Sequence, residues 1–241
     1  MKLALITGGS KGLGAALVQQ YCDAGWQVRE YSRSGSAAGH VDCDFADPAV
    51  VTEVCGKDFA ALATEQWDEV VLILNAAVLD PIGPLAASTP ADWQRHLTVN
   101  VTATITALGL FMQHFQALPA AKRVAAISSG AARKAYNGWS LYCASKAALE
   151  HMIRSIAIEQ LAEAHPITAI NIDPGVIDTA MQATIRAAGE DRFPDHERFV
   201  RYHADGVLKP PARVAAAILA ILADPCIGGE RYSVEDRLGG R

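Results

Sequence analysis

The feature that most constrains this chain is a repeated alternation of short apolar runs with longer segments of helical periodicity. The run VVLIL at 70–74 is apolar at every position, as in a parallel strand that is buried on both faces. Similar runs at 3–7, 27–31, 124–127 and 167–172 are separated by stretches with apolar residues three and four positions apart. Alternation of this kind indicates βαβ crossovers. The sequence therefore predicts an α/β fold: a doubly wound parallel sheet of about seven strands with helices on both faces.

The stretches between these strands carry the helix predictions. Helices are expected over 14–21, 48–62, 92–115 and 141–161, and Asp47 is the expected N-cap of the second. The apolar face of the last helix is predicted to contain Leu149, Met152, Ile153, Ile156 and Leu161. Because no repeat, linker or low-complexity tract interrupts the pattern, we expect a single domain over residues 1–241.

The polar segment 178–209 breaks the alternation of strands and helices. It contains EDRFPDHERFVR and follows the carboxyl end of a predicted strand, where ligands bind in sheets of this type. Two interpretations remain open. The segment is either a solvated helical insertion or a lid over a substrate.

Composition excludes several classes of function. The formal net charge of −5 disfavours nucleic acid as a partner, because phosphate binding needs a dense basic surface. No apolar window approaches the length of a membrane span, and the N-terminal apolar run meets Gly8 and Gly9 too soon for a signal peptide. The five cysteines form no CxxC pair, and the seven histidines form no HExxH motif. We therefore expect a cytoplasmic protein with reduced thiols and no metal site.

A glycine-rich segment follows the first predicted strand and opens the first helix. Gly8, Gly12 and Gly14 occur with the spacing TGxxxGxG. Glycines at such a turn let the backbone approach a diphosphate, and the helix N-terminus offers its unpaired N–H groups to the anion. In this context the spacing predicts a dinucleotide site.

The end of the second predicted strand indicates which dinucleotide is used. Enzymes selective for NAD usually carry an acidic residue there, which binds the ribose 2′-hydroxyl. This chain has Ser32 and Arg33 instead, with Lys11 nearby in the glycine-rich segment. Two cations without a carboxylate favour a 2′-phosphate, so the sequence predicts NADPH, although Arg33 could also be simply solvated.

A second group of polar residues predicts the chemistry. Tyr142 and Lys146 are four positions apart on a predicted helix, so their side chains share one face. A tyrosine has an ordinary pKa of about 10, and a neighbouring ammonium is expected to lower it by stabilising the phenolate. Ser128 and Ser129 end a predicted strand, at the edge where a substrate would bind.

Taken together, these motifs resemble the short-chain dehydrogenases/reductases. The matching segments are TGGSKGLG at 7–14, LNAA at 74–77, Asn100, ISS at 127–129, YCASK at 142–146 and PGVIDT at 174–179. They cover nearly the whole chain in order. Within that family, GWSLYCASKAAL and DPGVIDTAMQ are similar to sepiapterin reductases and the related benzil reductases. The resemblance implies an NADPH-dependent carbonyl reductase that forms a homodimer through the helices at 92–115 and 141–161.

The resemblance also implies individual roles. Tyr142 is the general acid, Lys146 lowers its pKa and binds the nicotinamide ribose, and Ser129 bonds the substrate carbonyl. Asn100 supports a proton relay through water to Lys146. The implied cofactor-binding residues are Gly8, Ser10, Lys11, Gly12, Leu13, Gly14, Ser32, Arg33, Asp44, Phe45, Asn75, Ala76, Ala77, Tyr142, Lys146, Pro174, Gly175, Ile177 and Thr179.

The substrate prediction depends on fewer residues. Trp139 and Met181 are expected beside Ser129 and Tyr142 in a pocket for a flat or aromatic ketone, although Trp139 could equally serve packing alone. In sepiapterin reductases a C-terminal carboxylate anchors the pterin. Ser233 stands at that position here, with Glu230, Glu235 and Asp236 nearby. An apolar diketone such as benzil is therefore expected rather than a pterin. The alternatives are pteridine reduction, oxidation of a secondary alcohol with NAD, and a catalytically silent NADPH-binding sensor.

Overall fold

The computed structural model describes residues 1–239, whose strands form one parallel sheet of seven. The strands are β1 (Lys2–Thr7), β2 (Gln27–Ser32), β3 (His40–Asp42), β4 (Glu69–Leu74), β5 (Ala121–Ile127), β6 (Ile167–Asp173) and β7 (Arg231–Ser233). Their order across the sheet is β3-β2-β1-β4-β5-β6-β7, and each neighbouring pair is parallel. Strands β1 to β3 extend the sheet to one side and β4 to β7 extend it to the other, so the strand order reverses between β1 and β4. The sheet is therefore doubly wound, as predicted.

The two strands missed by the sequence analysis are β3 and β7. Each contains three residues, HVD and RYS, and neither is an apolar run. Both lie at the edges of the sheet, where only one neighbouring strand is present. Their strand conformation therefore comes from pairing with β2 and β6 rather than from a local pattern.

The helices connect the strands across the two faces. They are α1 (Gly12–Asp23), α2 (Pro48–Leu62), α3 (Pro90–Leu97), α4 (Ala103–Phe115), α5 (Ser140–Glu159), α6 (Ala180–Ala187), α7 (His196–Ala204), α8 (Pro211–Ala223) and α9 (Val234–Arg237). Asp47 caps α2 by accepting hydrogen bonds from the backbone of Ala49 and Val50, as predicted. None of the helices within residues 1–239 combines the length and apolar character that a membrane crossing requires.

The long helix predicted over 92–115 is interrupted. It begins earlier, at Pro90, and its first turn is closed by a capping box between Thr89 and Asp92. A single π-helical turn at Thr98–Thr102 then joins α3 to α4. Such insertions often occur at functional sites, because the extra residue redirects the side chains of that turn. Asn100 lies in this turn.

Two apolar layers hold the helices against the sheet. One contains Phe59 of α2 and Phe111 and Phe115 of α4. Phe111 and Phe115 stack on each other, and Phe59 packs edge to face with both. The other packs α1 and α8 against the opposite face, around Leu17 and Ile218. Both faces of the central strands are covered, which explains why VVLIL is apolar throughout.

The apolar face predicted for 141–161 is correct except at its end. Leu149, Ile153 and Ile156 are buried in α5, whereas Leu161 is 84% exposed. The reason is that α5 ends at Glu159, and a tighter 3₁₀ turn over Gln160–Ala162 changes the direction of the following side chains.

The segment 178–209 forms α6 and α7, and it is more than a solvated insertion. Ile185, Phe193 and Phe199 are buried with Leu79 and Trp139 in a third, smaller apolar cluster. This cluster packs the segment over the carboxyl end of the sheet. The lid interpretation is compatible with this position.

Gly14 provides a test of how closely the first turn is packed. A Cβ there would overlap the carbonyl oxygen of Gly8 and come within 2.7 Å of the Asn75 amide nitrogen. Backbone atoms cannot move aside cheaply, so we expect Gly14→Ala to lower the free energy of unfolding by about 2–3 kcal/mol. The matched control is Gly56→Ala within α2, where the nearest atom, Leu110 Cδ2, is 4.0 Å away. That change should raise stability by about 1 kcal/mol. Urea unfolding of both variants measures the difference, and equal effects would contradict the packing argument.

Candidate active site

A cavity of about 620 Å³ opens at the carboxyl ends of the central strands. Its lining includes every residue that the sequence analysis assigned to a cofactor: Gly8, Ser10, Lys11, Gly12, Leu13, Gly14, Ser32, Arg33, Asp44, Phe45, Asn75, Ala76, Ala77, Tyr142, Lys146, Pro174, Gly175, Ile177 and Thr179. The four residues assigned to the substrate, Ser129, Trp139, Tyr142 and Met181, line the same cavity. Parallel strands end at one edge of the sheet, so these distant segments of sequence converge.

The glycine-rich loop is held open by hydrogen bonds beneath it. Asn75 donates from its side-chain amide to the carbonyl oxygens of Thr7 (3.1 Å) and Gly8 (2.9 Å). Gly8 and Gly12 have φ angles of 68° and 56°, in the left-handed region that glycine adopts most readily. The first turn of α1 then presents its N–H groups without a side-chain cap. This geometry suits an anion at the helix N-terminus.

The end of β2 fits a further anionic group. The Ser32 hydroxyl is buried, lines the cavity and has no hydrogen-bond partner among residues 1–239. Lys11 and Arg33 line the same region, and the Arg33 side chain is 61% exposed. Within the described residues its ion pair is with Asp44, and Nε lies 3.9 Å from Oδ1. A buried hydroxyl without a partner is costly, and a phosphate oxygen would satisfy it. The residues present therefore fit a dinucleotide that carries an additional phosphate.

Tyr142, Ser129 and Lys146 lie together on the cavity wall. Tyr142 and Lys146 occupy one face of α5, with the ammonium 5.8 Å from the phenol ring centroid. Lys146 donates to the carbonyl oxygen of Ile127 at 2.8 Å. Ser129 follows β5, and its hydroxyl accepts from the Ala131 N–H at 3.2 Å. The arrangement places two hydroxyls and one ammonium around the same part of the cavity.

Burial determines the ionisation of this group. Removal from water raises the pKa of Tyr142 to about 12, and a hydrogen bond with Ser129 acts in the opposite direction. The expectation that Lys146 would lower the Tyr142 pKa is therefore not met in the protein alone, because the cost of burying a phenolate is larger. Burial likewise lowers the pKa of Lys146 to about 8. Near neutral pH, Tyr142 keeps its proton and Lys146 remains mainly an ammonium.

Asn100 is buried behind the cavity rather than on its wall. Its amide nitrogen donates to the Val78 carbonyl at 2.8 Å, and its oxygen accepts from the Val78 N–H at 2.8 Å. The same amide nitrogen lies 3.0 Å from His96 Nε2. His96 Nδ1 donates to the Asp80 carbonyl at 2.8 Å, and Nε2 accepts from Asn100 because an amide NH₂ group can only donate, so the ring is neutral. The structure thus shows Asn100 bonded to the β4–α3 connection, and the relay to Lys146 stays a prediction.

His96 belongs to the site's support but was not identified from the sequence. The ring is fully buried, and burial lowers the pKa of His96. It packs edge to face with Tyr142 at 6.4 Å between centroids. The available signal was its position four residues before Asn100 on a predicted helix, which places the two side chains on one face.

A charged cluster beneath Ser129 was also missed. Glu150, 3% exposed, accepts from Ser128 at 2.6 Å and from Arg154 at 3.1 Å, and it forms an ion pair with Arg231. Arg231 also donates to the Ser129 carbonyl oxygen at 3.3 Å and to Asp173 at 2.5 Å. Glu150 and Arg231 are 81 positions apart, so no local pattern could have paired them.

A group of aromatic rings forms another part of the cavity wall. Trp139 stacks on Phe193 with centroids 4.6 Å apart, and it contacts Tyr136 and Phe199 at 4.9 and 5.4 Å. Trp139, Tyr136 and Phe199 line the cavity, and Tyr202 and Met181 extend the wall. Trp139 is therefore both a packing residue and a cavity residue, so the two interpretations of its role were not exclusive.

The C-terminal segment places a carboxylate at the cavity after all. Glu235 lines it and forms an ion pair with Lys209 at 2.8 Å, whereas Ser233 caps α9 by accepting from the Glu235 N–H at 3.1 Å. Ser233 was expected at the anchoring position, with Glu235 only nearby. The α9 turn, which brings Glu235 back toward Gly175, accounts for the difference.

Comparison with known proteins agrees with this geometry. The family model for the short chain dehydrogenases matches residues 2–190. A benzil reductase, (S)-benzoin forming, from Bacillus subtilis is 32% identical over 99% of this chain and all of its own length. The chain belongs to the short-chain dehydrogenase/reductase family. It is an oxidoreductase of that family and is similar to its benzil reductases.

Two solved structures extend the comparison. The KRED1-Pglu enzyme superposes with a TM-score of 0.82 at 28% identity, covering 96% of this chain and all of that one. A short chain dehydrogenase from Burkholderia cenocepacia in complex with NADP superposes with a TM-score of 0.72 at 26% identity, covering 96% of this chain and 95% of that one. Members of the family with this fold therefore include a protein that binds NADP.

Proposed function

We propose that this protein reduces a ketone or 1,2-diketone with an aromatic substituent, using NADPH and Tyr142 as the general acid. The observation that carries the proposal is that Tyr142, Ser129 and Lys146 line one cavity together with the glycine-rich loop and a group of aromatic rings. When bound, the cofactor supplies the hydride that the carbonyl carbon receives. The protein's residues must then hold the carbonyl and deliver the proton.

The proton step follows from the state of Tyr142. Because its pKa is raised to about 12, the hydroxyl is protonated near neutrality and can act as a donor. Tyr142 gives its proton to the carbonyl oxygen as that oxygen gains negative charge. Ser129 donates a hydrogen bond to the same oxygen, and the Lys146 ammonium stabilises the phenolate left on Tyr142. Burial of Tyr142 and Lys146 strengthens these interactions by excluding water.

NADPH is favoured over NADH by the end of β2. Ser32, Arg33 and Lys11 can bond a 2′-phosphate, and Gly8 and Gly12–Gly14 can receive the diphosphate. The cavity-lining residues at and just after the end of β2 include Tyr31, Ser32 and Arg33. None of the three is an acidic residue that would bond a 2′-hydroxyl. The NADP complex of the Burkholderia cenocepacia relative supports the same choice.

The aromatic wall supports a flat, apolar substrate. Trp139 and Phe199 offer ring faces and edges to a phenyl group, and Met181 adapts to its outline. The benzil reductase from Bacillus subtilis acts on such a diketone according to its name. A pteridine ketone is the second candidate, because Glu235 reaches the cavity and could accept from a pterin amino group.

Three further properties complete the proposal. We take residues 1–241 as a single domain with 178–209 as a substrate lid, since α6 and α7 line the cavity. We place the protein in the cytoplasm. We propose a homodimer through α4 and α5, on which Ile105 and Ile158 are exposed apolar side chains.

The test is a turnover assay with NADPH and NADH against benzil, phenyl-1,2-propanedione, sepiapterin and a simple aldehyde. We expect NADPH-dependent turnover of the two diketones, measured as loss of the reduced nicotinamide absorbance. Turnover of sepiapterin alone would replace the diketone proposal with the pteridine one. Tight NADPH binding without turnover of any substrate would favour the silent sensor instead.

A further inference from the structure

A buried carboxylate and a partly exposed imidazole lie beneath the glycine-rich loop and are not used by the proposed reaction. Glu30, in the middle of β2, is fully buried. Its Oε1 accepts from the Gly9 N–H at 2.9 Å, and its Oε2 lies 2.7 Å from His40 Nδ1. Glu30 and His40 stand opposite each other where β2 pairs with β3. Neither lines the cavity, so neither contacts a ligand there.

His40 accepts a hydrogen bond from Gly35 and donates one to Glu30. The Gly35 backbone N–H lies 3.3 Å from His40 Nε2, and an N–H can only donate. Nε2 is therefore the acceptor, and Nδ1 carries the proton that it donates to Glu30. The carboxylate receives one donor from Gly9 directly and is connected to Gly35 through the imidazole. One chain of hydrogen bonds thus joins residues 9 and 35.

Gly9 and Gly35 both lie in close contact with Glu30, and Gly35 also with His40. A Cβ on Gly9 would overlap the Glu30 side chain, and a Cβ on Gly35 would overlap the Glu30 carboxylate and the His40 ring. Gly9 belongs to the loop proposed to hold the diphosphate. Gly35 directly follows Arg33 and Ser34, which line the cavity where the 2′-phosphate is proposed to bind.

The connection through Gly35 matters because Arg33 has little else to hold it. Its side chain is 61% exposed, and its ion pair with Asp44 spans 3.9 Å. Ser32 is fixed by β2, but Arg33 and Ser34 depend on the path of the loop that starts there. A loop that is ordered before binding does not add its ordering entropy to the cost of binding.

We propose that Glu30 and His40 are positioning residues that determine the preference for NADPH. They hold the loop after β2 in register with the glycine-rich loop, so that Arg33 and Ser32 meet the 2′-phosphate. This inference rests on the proposed use of NADPH. NADH lacks that phosphate, so its binding does not depend on the position of Arg33.

Two substitutions break the chain of hydrogen bonds at different places. In His40→Asn, the side-chain amide can still donate to Glu30, but it is too short to accept from Gly35. In Glu30→Gln, the new NH₂ group faces a donor, either His40 or Gly9, so one bond must be lost. The control is His165→Asn, the same change at an exposed residue before β6.

The measurement is the dissociation constant of each cofactor, from titration of the nicotinamide fluorescence. We expect His40→Asn, which keeps the bond between Glu30 and Gly9, to bind NADPH about fivefold to tenfold more weakly, the range of one net hydrogen bond, with NADH affinity unchanged. Glu30→Gln should weaken NADPH binding at least as much, with a smaller loss for NADH where its bond to Gly9 is lost, and His165→Asn should change neither affinity. An equal loss for both cofactors would show a general structural role and overturn the inference, as would no loss for either. A wild type that does not prefer NADPH would instead contradict the proposed function. Thermal unfolding of each variant confirms that the folded protein is being titrated.

Discussion

Replacement of Tyr142 by phenylalanine should lower kcat for carbonyl reduction by about a hundredfold to ten-thousandfold, the range of a general acid. The ring and its edge contacts with Trp139 and His96 remain, so only the hydroxyl is removed. Ser129 is the side chain that acts on this hydroxyl to lower its pKa, and losing one neutral hydrogen bond there would cost about 1 kcal/mol of stability. The variant should therefore fold normally and bind NADPH nearly as well as the wild type.

Steady-state kinetics with NADPH and the best diketone, together with a cofactor titration, separate these effects. Tyr21→Phe is the control, because Tyr21 is a buried tyrosine in the opposite apolar layer, packed against Trp26. It should leave kcat unchanged. If Tyr142→Phe kept more than about a tenth of the wild-type kcat, Tyr142 would not be the proton donor.

Replacement of Arg231 by methionine should lower the free energy of unfolding by about 3 kcal/mol, since it leaves a buried charge short of a partner. Arg231 is 10% exposed and bonds both Glu150 and Asp173. Glu150 would keep Ser128, Arg154 and Arg133, which limits the loss, but Asp173 would lose its ion pair. Arg231 also donates to the carbonyl oxygen of Ser129, so the variant removes a hydrogen bond beneath a residue of the candidate active site.

The control for this variant is Arg237→Met, which removes an ion pair with Asp224 between side chains that are 43% and 54% exposed. Solvent screening should keep that loss below about 1 kcal/mol. Equal losses in the two variants, measured by urea unfolding, would mean that the buried cluster contributes no more than a surface pair.

The pH dependence of the Arg231 effect has a definite sign. Burial raises the pKa of Glu150, but the Ser128 hydrogen bond and the Arg231 charge outweigh it and hold the pKa below the ordinary value of 4.5. A lowered carboxyl pKa stabilises the folded state above that ordinary value, and the contribution is lost as the pH falls through the folded-state pKa. The difference between wild type and Arg231→Met should therefore be constant near neutral pH and shrink as the pH falls below 4.5, the ordinary carboxyl pKa.

Most of the fold followed from local patterns. VVLIL predicted a central strand because a strand covered on both faces must be apolar at every position. Asp47 predicted the start of α2 because its side chain can accept from the first turn. By contrast, β3 and β7 were missed, since each is a three-residue edge strand that is formed by pairing with a neighbour rather than by a local apolar run. The π-helical turn at 98–102 was also missed, within a stretch of continuous helical periodicity.

The candidate site divided in the same way. The glycine-rich loop, Ser129, Tyr142 and Lys146 were identified because fixed spacings next to strand ends carry their chemistry, and the structure brings them to one cavity. The pKa of Tyr142 was expected to be lowered, whereas burial raises it. The sequence shows the neighbouring lysine but not the extent of burial. Glu235 was expected only near the anchoring position, which was assigned to Ser233, because the α9 turn is not evident from the sequence.

The sequence by itself determined the doubly wound sheet, the family resemblance and the residues at its carboxyl edge, because periodicity and motif spacing are local properties of the chain. Only the tertiary structure decided which buried charges meet. Glu150 pairs with Arg231, and Glu30 connects Gly9 to Gly35 through His40. The physical reason is that a buried polar group must find a partner wherever the fold provides one, and the chain order does not specify where that will be.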